Sequence, residues 1–185
     1  KEQKENLTLP SEPSQEKGLS HQIAVKADGD DSGVDVWAKD KVFEVNEAAA
    51  KIARTVADKA DHKVIVAGSV GPTGELFEPL GALTHADAVD AFREQIRGLK
   101  KGGIDVVWIE TMSAPEEMQT ASEAAIAENM PFVFTASFDT AGKTMMGMHP
   151  RDIHKVAAPL SGKPFAVGAN CGVGASDILA SLLDM

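Results

Sequence analysis

Apolar positions change rhythm along this chain, and the changes divide it into elements. From Lys41 onward, Val45, Ala49, Ile52 and Val56 recur at helical spacing and predict an amphipathic helix over about 41–59. The run Val64, Ile65, Val66 and Ala67 is short, continuous and closed by glycines, which predicts a strand buried on both faces. Val89, Phe92, Ile96 and Leu99 return to spacings of three and four. They predict a helix over about 84–101, stopped by Gly102 and Gly103. IDVVWIET, at about 104–111, reads as a second buried strand. Ser113-x-x-Glu116 with Pro115 between predicts a capping box opening a helix that runs to about Glu128. PFVFTASF (131–138) is the third strand, Arg151 to Leu160 a short helix, PFAVGANC (164–171) the fourth strand and Ser176 to Leu183 a final helix.

Residues 1–40 have no such rhythm. The opening KEQKENLTLPSEPSQEKGLSHQ is polar, charged and interrupted by prolines, and the following VKADGDDSGVDVWAKD clusters turn residues. Such a stretch buries too little surface to offset chain entropy, so it is expected to be a disordered or aberrant leader. The repeating strand–helix order over 41–185 implies a parallel sheet with helical crossovers. An open doubly wound sheet and a (β/α)8 barrel both satisfy it. A full barrel takes eight units over about 250 residues, so this chain would hold four central units. No G-x-G-x-x-G follows a strand, and no Gly-Lys-Ser/Thr follows GSVGPTG, so dinucleotide and P-loop fingerprints are missing.

Composition narrows the function. The chain has 185 residues with 43% hydrophobic and 25% charged, ordinary for a globular protein. Its formal charge of −10 argues against a nucleic-acid partner, which needs a basic footprint. No apolar run is long enough for a transmembrane helix, and no export signal opens the chain. A lone cysteine excludes an internal disulfide, and a reducing cytoplasm is the default location.

Parallel α/β folds carry reactive groups at the carboxyl ends of their strands. Those ends here supply Ser69, then Glu110 and Thr111, then Ser137 and Asp139, then Asn170 and Cys171. Cys171 is a nucleophile or zinc ligand if exposed as a thiolate, and a small buried hydrophobe otherwise. Glu110 ends a buried strand, where a carboxylate binds an ammonium group, acts as a base or pairs with a basic side chain. Asp139 reads first as a turn residue. His62, His85, His149 and His154 fall in no ligand spacing and read as surface residues, as does His21 in the leader.

Taken together, VAGSVGPTGE, WIETMSAPEE, SFDTAGKTMMG and GANCG, in this order, resemble the homocysteine S-methyltransferase family. The likeness is to the homocysteine-binding module of bacterial methionine synthases and to betaine–homocysteine methyltransferases, over about Lys41 to Met185. It implies a (β/α)8 barrel and a catalytic zinc held by three cysteines. Cys171, in G-x-N-C, would be one ligand; the other two, an adjacent pair in G-G-C-C, would lie outside this chain. Glu110 would hold the homocysteine amino group, and Ser137 and Asn170 would line the amino-acid pocket. The methyl donor would be betaine or a methylated folate acting through cobalamin, with S-methylmethionine used by other relatives. A thiol is nucleophilic as thiolate, and coordination to zinc deprotonates it.

The expected function is thus zinc-dependent methylation of homocysteine to methionine. Lacking two ligands and half a barrel, the isolated chain is expected to be inactive and unstable, with exposed sheet edges. Two competing readings differ in class. One is a non-catalytic half-barrel that pairs its edges with another copy or chain, a homo-oligomer among the outcomes. The other is an unrelated barrel enzyme using Glu110 and Asp139 as acid and base.

Overall fold

The computed structural model describes residues 41–185; the segment 1–40, including the expected leader and His21, lies outside the described residues. The elements are α1 (Val42–Ala57), β1 (Ala67–Val70), α2 (His85–Gly102), β2 (Val106–Met112), α3 (Pro115–Ala127), β3 (Phe132–Ala136), a single 3-10 turn (Pro150–Asp152), α4 (Ile153–Ala157), β4 (Val167–Ala169) and α5 (Ala175–Asp184). The strands form one sheet in the order β1-β2-β3-β4, all parallel. This α/β architecture with a parallel sheet is the one the strand–helix repeat predicts. The sheet is open among the described residues, with β1 and β4 at its edges.

One face of the sheet is covered by helices and holds the core. Val107 and Ile109 of β2 and Phe132 and Phe134 of β3 point into it, against Phe92, Ile96 and Leu99 of α2 and Met118 of α3. The other face is thinly covered. Strand β1 therefore alternates, with Ala67 and Ser69 exposed and Gly68 and Val70 buried, and Trp108 of β2 is 40% exposed. The expectation of a first strand buried on both faces is corrected by this: nothing among the described residues packs on its second face. In β3 all five residues are buried, as the continuous apolar run predicts.

The ladder of β1 also starts later than the apolar run suggests. The N–H of Val66 donates to the Asp105 carboxylate at 2.7 Å, and its carbonyl accepts from the Asp105 N–H at 2.7 Å. Paired strand begins only at Ala67, opposite Val106. The fourth strand likewise shortens to Val167–Ala169, and the 151–160 helix splits into the 3-10 turn and α4.

Helix α1 forms where its apolar periodicity predicts, but it packs on a different face. Val42, Ala50 and Ala57 are buried, whereas Ile52 is 69% and Val56 66% exposed, and Val45 is exposed with them. The reason lies in α2. A Cβ on Gly98 would strike the Phe43 carbonyl, and one on Gly102 would strike Ala50 and the Glu47 carbonyl. These glycines, one turn apart, let α1 approach α2 backbone to side chain, so the small side chains of α1 face inward. Arg54 then reaches from α1 to the Asp105 carboxylate at 2.9 Å and the Val64 carbonyl at 3.2 Å.

Capping follows the sequence at one helix and departs from it at another. Thr84 caps α2 by accepting from the Asp87 N–H, and Gly103 ends it in the left-handed region at φ 97°. At α3, Ser113 is not the cap: Ala114 occupies that position without a side-chain bond, and Pro115 opens the helix. At the end of α3, Glu128 Oε1 accepts from Arg93 Nε at 3.0 Å and Arg97 Nε at 2.9 Å, tying α2 to α3. Burial works to raise the Glu128 carboxyl, but the two guanidinium groups outweigh it and hold it below the ordinary value.

Asp105 is held below the usual aspartate range by the Val66 N–H above all, against desolvation and with help from Arg54. A depressed carboxyl contributes stability that is full above its unfolded pKa and fades as pH falls through the folded one. Asp105→Asn is expected to cost about 1 kcal/mol near neutrality, since the site is solvent-exposed. Thermal melts of both proteins at descending pH should show the gap closing in acid; a gap independent of pH would contradict this account.

Candidate active site

The carboxyl end of the sheet is shaped by a break in its ladder. Ile109 pairs with Phe134 and Met112 with Ala136, so β2 carries one residue more than β3 across this stretch. Thr111 sits in that bulge at φ 61°. A β-branched residue there is an outlier, and bulges re-aim side chains beside functional sites. Here Glu110 keeps the alternation of Trp108, and the bulge takes Thr111 out of it at the mouth of the sheet. Cys171, just after β4, is also left-handed, at φ 57°. Two non-glycine residues in the left-handed region thus stand at the carboxyl ends of β2 and β4, on either side of β3.

Asn170 binds the strand ends together. Its Oδ1 accepts from the Thr111 N–H at 2.8 Å and from Thr135 Oγ1 at 2.6 Å. Its Nδ2 donates to Thr111 Oγ1 at 2.7 Å and to the Cys171 sulfur at 3.4 Å. One amide thus joins β2, β3 and the β4 end, and places Cys171 Sγ 3.7 Å from Thr111 Oγ1. Cys171 is exposed, which corrects the buried-hydrophobe reading.

Glu110 stands beside this cluster. It accepts from Ser69 Oγ of β1 at 2.5 Å. None of the ion pairs among the described residues uses it. Nor does it serve the start of α3, which lies beyond Ala114. The carboxylate is therefore available to a cationic ligand. Ser137 is buried at the end of β3, where its N–H donates to the Met112 carbonyl and its hydroxyl to Asp139 Oδ2 at 3.4 Å. The four predicted residues thus share the carboxyl end of three adjacent strands, with Asn170 and Cys171 in direct contact. Glu110 bonds instead to Ser69, and Ser137 to Asp139. Of the described histidines, His85 pairs with Glu123 at 2.7 Å on the surface, and His62 with its neighbour Asp61.

Thr111 was among the strand-end residues read from sequence; Thr135 and Glu117 also belong to the arrangement and were not singled out there. Glu117, in the first turn of α3, is buried. Its Oε1 accepts from both the N–H and the hydroxyl of Thr73, each at 2.6 Å. It therefore pins the Gly-Pro-Thr-Gly loop that leaves β1 beside Ser69. Burial pushes its carboxyl above the usual glutamate value, opposed by the two Thr73 bonds.

Among the described residues there is no group of three or more His, Cys, Asp or Glu side chains placed to hold a metal ion. Cys171 offers one donor, so these residues do not fit a zinc ion by themselves. No helix among them is long and apolar enough to cross a membrane.

Comparison with known proteins gives the geometry a context. A family model described as homocysteine S-methyltransferase matches residues 20–185, beginning inside the polar leader. Methionine synthase of Mycobacterium leprae is 28% identical over 148 residues, covering 75% of this chain and 12% of that protein. Methionine synthase of Mycobacterium tuberculosis is 27% identical over the same coverage. The chain thus spans about an eighth of the length of these relatives. The homocysteine methyltransferase MmuM from Escherichia coli shares the fold, with TM-score 0.63, 20% identity, and coverage of 77% of this chain and 54% of that one in its apo form. Its metallated form matches with TM-score 0.59 and 21% identity, over 78% and 52% of the respective chains.

A buried carboxyl with a raised pKa is stabler protonated, so its contribution declines as pH rises from the ordinary glutamate range through the raised value. Glu117→Gln retains an acceptor for Thr73 and removes the charge. It is expected to flatten the pH dependence of the melting temperature over the range above the ordinary glutamate value. A wild-type profile that does not fall relative to the variant over that range would refute the assignment.

Proposed function

Because the chain belongs to the homocysteine S-methyltransferase family, we propose that it forms the acceptor side of an enzyme that methylates the thiol of homocysteine, giving methionine. The observation that carries the reading is the Glu110 carboxylate, bonded to Ser69 and in no ion pair among the described residues, at the strand ends next to the Asn170–Thr111–Cys171 cluster. Homocysteine at neutral pH presents an ammonium, a carboxylate and a thiol. Glu110 takes the ammonium by a charge-assisted hydrogen bond. Asn170 and Ser137 line the side of the pocket that receives the rest of the amino acid. Holding the acceptor in one orientation lowers the entropic part of the transfer barrier.

Cys171 is assigned as one thiolate donor to zinc, with two further cysteines supplied by sequence outside these residues and a (β/α)8 barrel completed by the remaining units. The single donor present accords with that division, and the metallated relative is consistent with it. Bound zinc would supply deprotonation of the substrate thiol. The residues of this chain bind and aim the amino acid. Betaine or a methylated folate through cobalamin is the donor proposed. The reading places the chain in the cytoplasm, where thiols stay reduced.

Titration calorimetry of the chain with L-homocysteine tests the acceptor site without requiring turnover. Glu110→Gln is expected to weaken binding about tenfold or more, the loss of one charge-assisted bond. Asp139→Asn is expected to change it little. Equal loss from both variants would favour the acid–base reading instead, and no binding by the wild-type chain would overturn the acceptor role.

A further inference from the structure

We propose that Glu117 is a positioning residue for the acceptor site: by holding Thr73 it fixes the end of β1, and with it the Ser69 hydroxyl that orients the Glu110 carboxylate. The inference rests on the reading of Glu110 as the group that takes the homocysteine ammonium. Glu117 is the one acidic or basic side chain that is buried among the described residues, and none of their ion pairs uses it. A carboxyl in such a place is costly unless its hydrogen bonds are made. The bonds it accepts both come from one residue, through the N–H and the hydroxyl of Thr73, each at 2.6 Å. Among the described residues no backbone–backbone bond ties 71–74 to another element, so these two bonds are the tether of that loop. The Thr73 oxygen also accepts from the Glu75 N–H at 3.2 Å, which folds the loop around the same hydroxyl.

The tether has a firm end and a functional end. Glu117 stands in the first turn of α3, and the next residues along that helix, Met118, Ala121, Ala124 and Ala125, are fully buried. Thr73 follows closely on β1, whose pairing ends at Val70 opposite Ile109, with Ser69 opposite Trp108. A strand end that leads into a free loop frays; here the chain beyond Val70 is fastened to α3. Ser69 Oγ in turn donates to Glu110 Oε1 at 2.5 Å. Two hydroxyls on the β1 side, Ser69 and Thr73, thus meet two carboxyls on the β2–α3 side, Glu110 and Glu117. The Ser69 bond occupies part of Oε1 and fixes the rotation of the Glu110 carboxylate, so its remaining acceptor sites meet a ligand ammonium in one orientation. Glu117 does its part as an acceptor and not as a charge. A glutamine carbonyl would serve Thr73 equally, and an alanine could not.

Calorimetry with two ligands separates this role from plain support of the fold. L-Homocysteine and 4-sulfanylbutanoate share the thiol and the carboxylate, and only the first offers Glu110 an ammonium. The ratio of their affinities therefore reads the Glu110 contact. Thr73→Val is expected to lower that ratio about threefold or more, with 4-sulfanylbutanoate bound as before. Ser69→Ala should lower it equally, and the two changes together should lower it no further, since both act through one hydroxyl. Glu117→Ala should match Thr73→Val, and Glu117→Gln should keep the original ratio. Circular dichroism checks the fold of each variant. Equal loss of both ligands, additive losses in the double variant, or a Glu117→Gln as impaired as Glu117→Ala would each overturn the proposal. So would a failure of both Thr73→Val and Glu117→Ala to fold, which would make the tether structural. A ratio lost in Glu110→Gln but kept in Thr73→Val would remove the role of Glu117 alone. A ratio kept in Glu110→Gln would remove the acceptor reading itself, and this proposal with it.

Discussion

A parallel sheet needs both of its faces covered, and the described residues cover only one of them fully. Helices α2 and α3 lie over the core face, where Ile109, Phe134 and Met118 are fully buried. The opposite face has no such layer among the described residues, and the consequences run outward from it. Strand β1 alternates between buried and exposed, Trp108 lies half open, and two flanking helices present apolar stripes to solvent. Parallel pairing makes the deficit larger than it would be for a hairpin sheet, because its strands are built for burial on both sides. The polar groups of the site gather on this same less-covered face, where a ligand has room to reach them.

Within that frame, the site is held by one side chain more than by any other. The Asn170 amide uses both its oxygen and its nitrogen to join three strand ends. An amide can do this because it donates and accepts at once; an aspartate could not donate to Thr111 and a leucine could do neither. The bulge at Thr111 is compatible with this arrangement because its N–H, lost to the ladder, is recovered by Asn170. Strain at Thr111 and Cys171 is thus offset by a network that fixes where Glu110 and the thiol stand.

The sequence made the element order legible because buried strands and amphipathic helices leave different periods. It also located the strand ends, and with them Glu110, Ser137, Asn170 and Cys171. What it could not show depends on partners distant in the chain. The apolar stripe of α1 predicts the helix correctly but not its packing, since Gly98 and Gly102 of α2 select the side of α1 that carries Ala50. Val66 looks like strand, yet Asp105 captures its N–H. Ser113 has the spacing of a cap, but Ala114 occupies the capping position. Thr111 gives no warning of a left-handed backbone, because its residue type argues against one. Glu117 looks like an ordinary first-turn acid until the loop after β1 is seen to fold onto it.

These gaps have a common physical cause that bears on function. Local pattern records how a segment meets an average environment, while the site is made where segments depart from it. The bulge, the left-handed cysteine and the buried carboxylate each cost free energy locally, and each is tied to another strand end or to the loop beside it. A site assembled this way is only as rigid as the sheet beneath it. Cys171 hangs on β4, which has three residues and lies at an open edge. Glu110 hangs on β2, which is flanked on both sides. The Glu110 carboxylate is therefore the better anchored of the two. The thiol end, on a short edge strand, depends for its position on the Asn170 amide that ties it to β2 and β3.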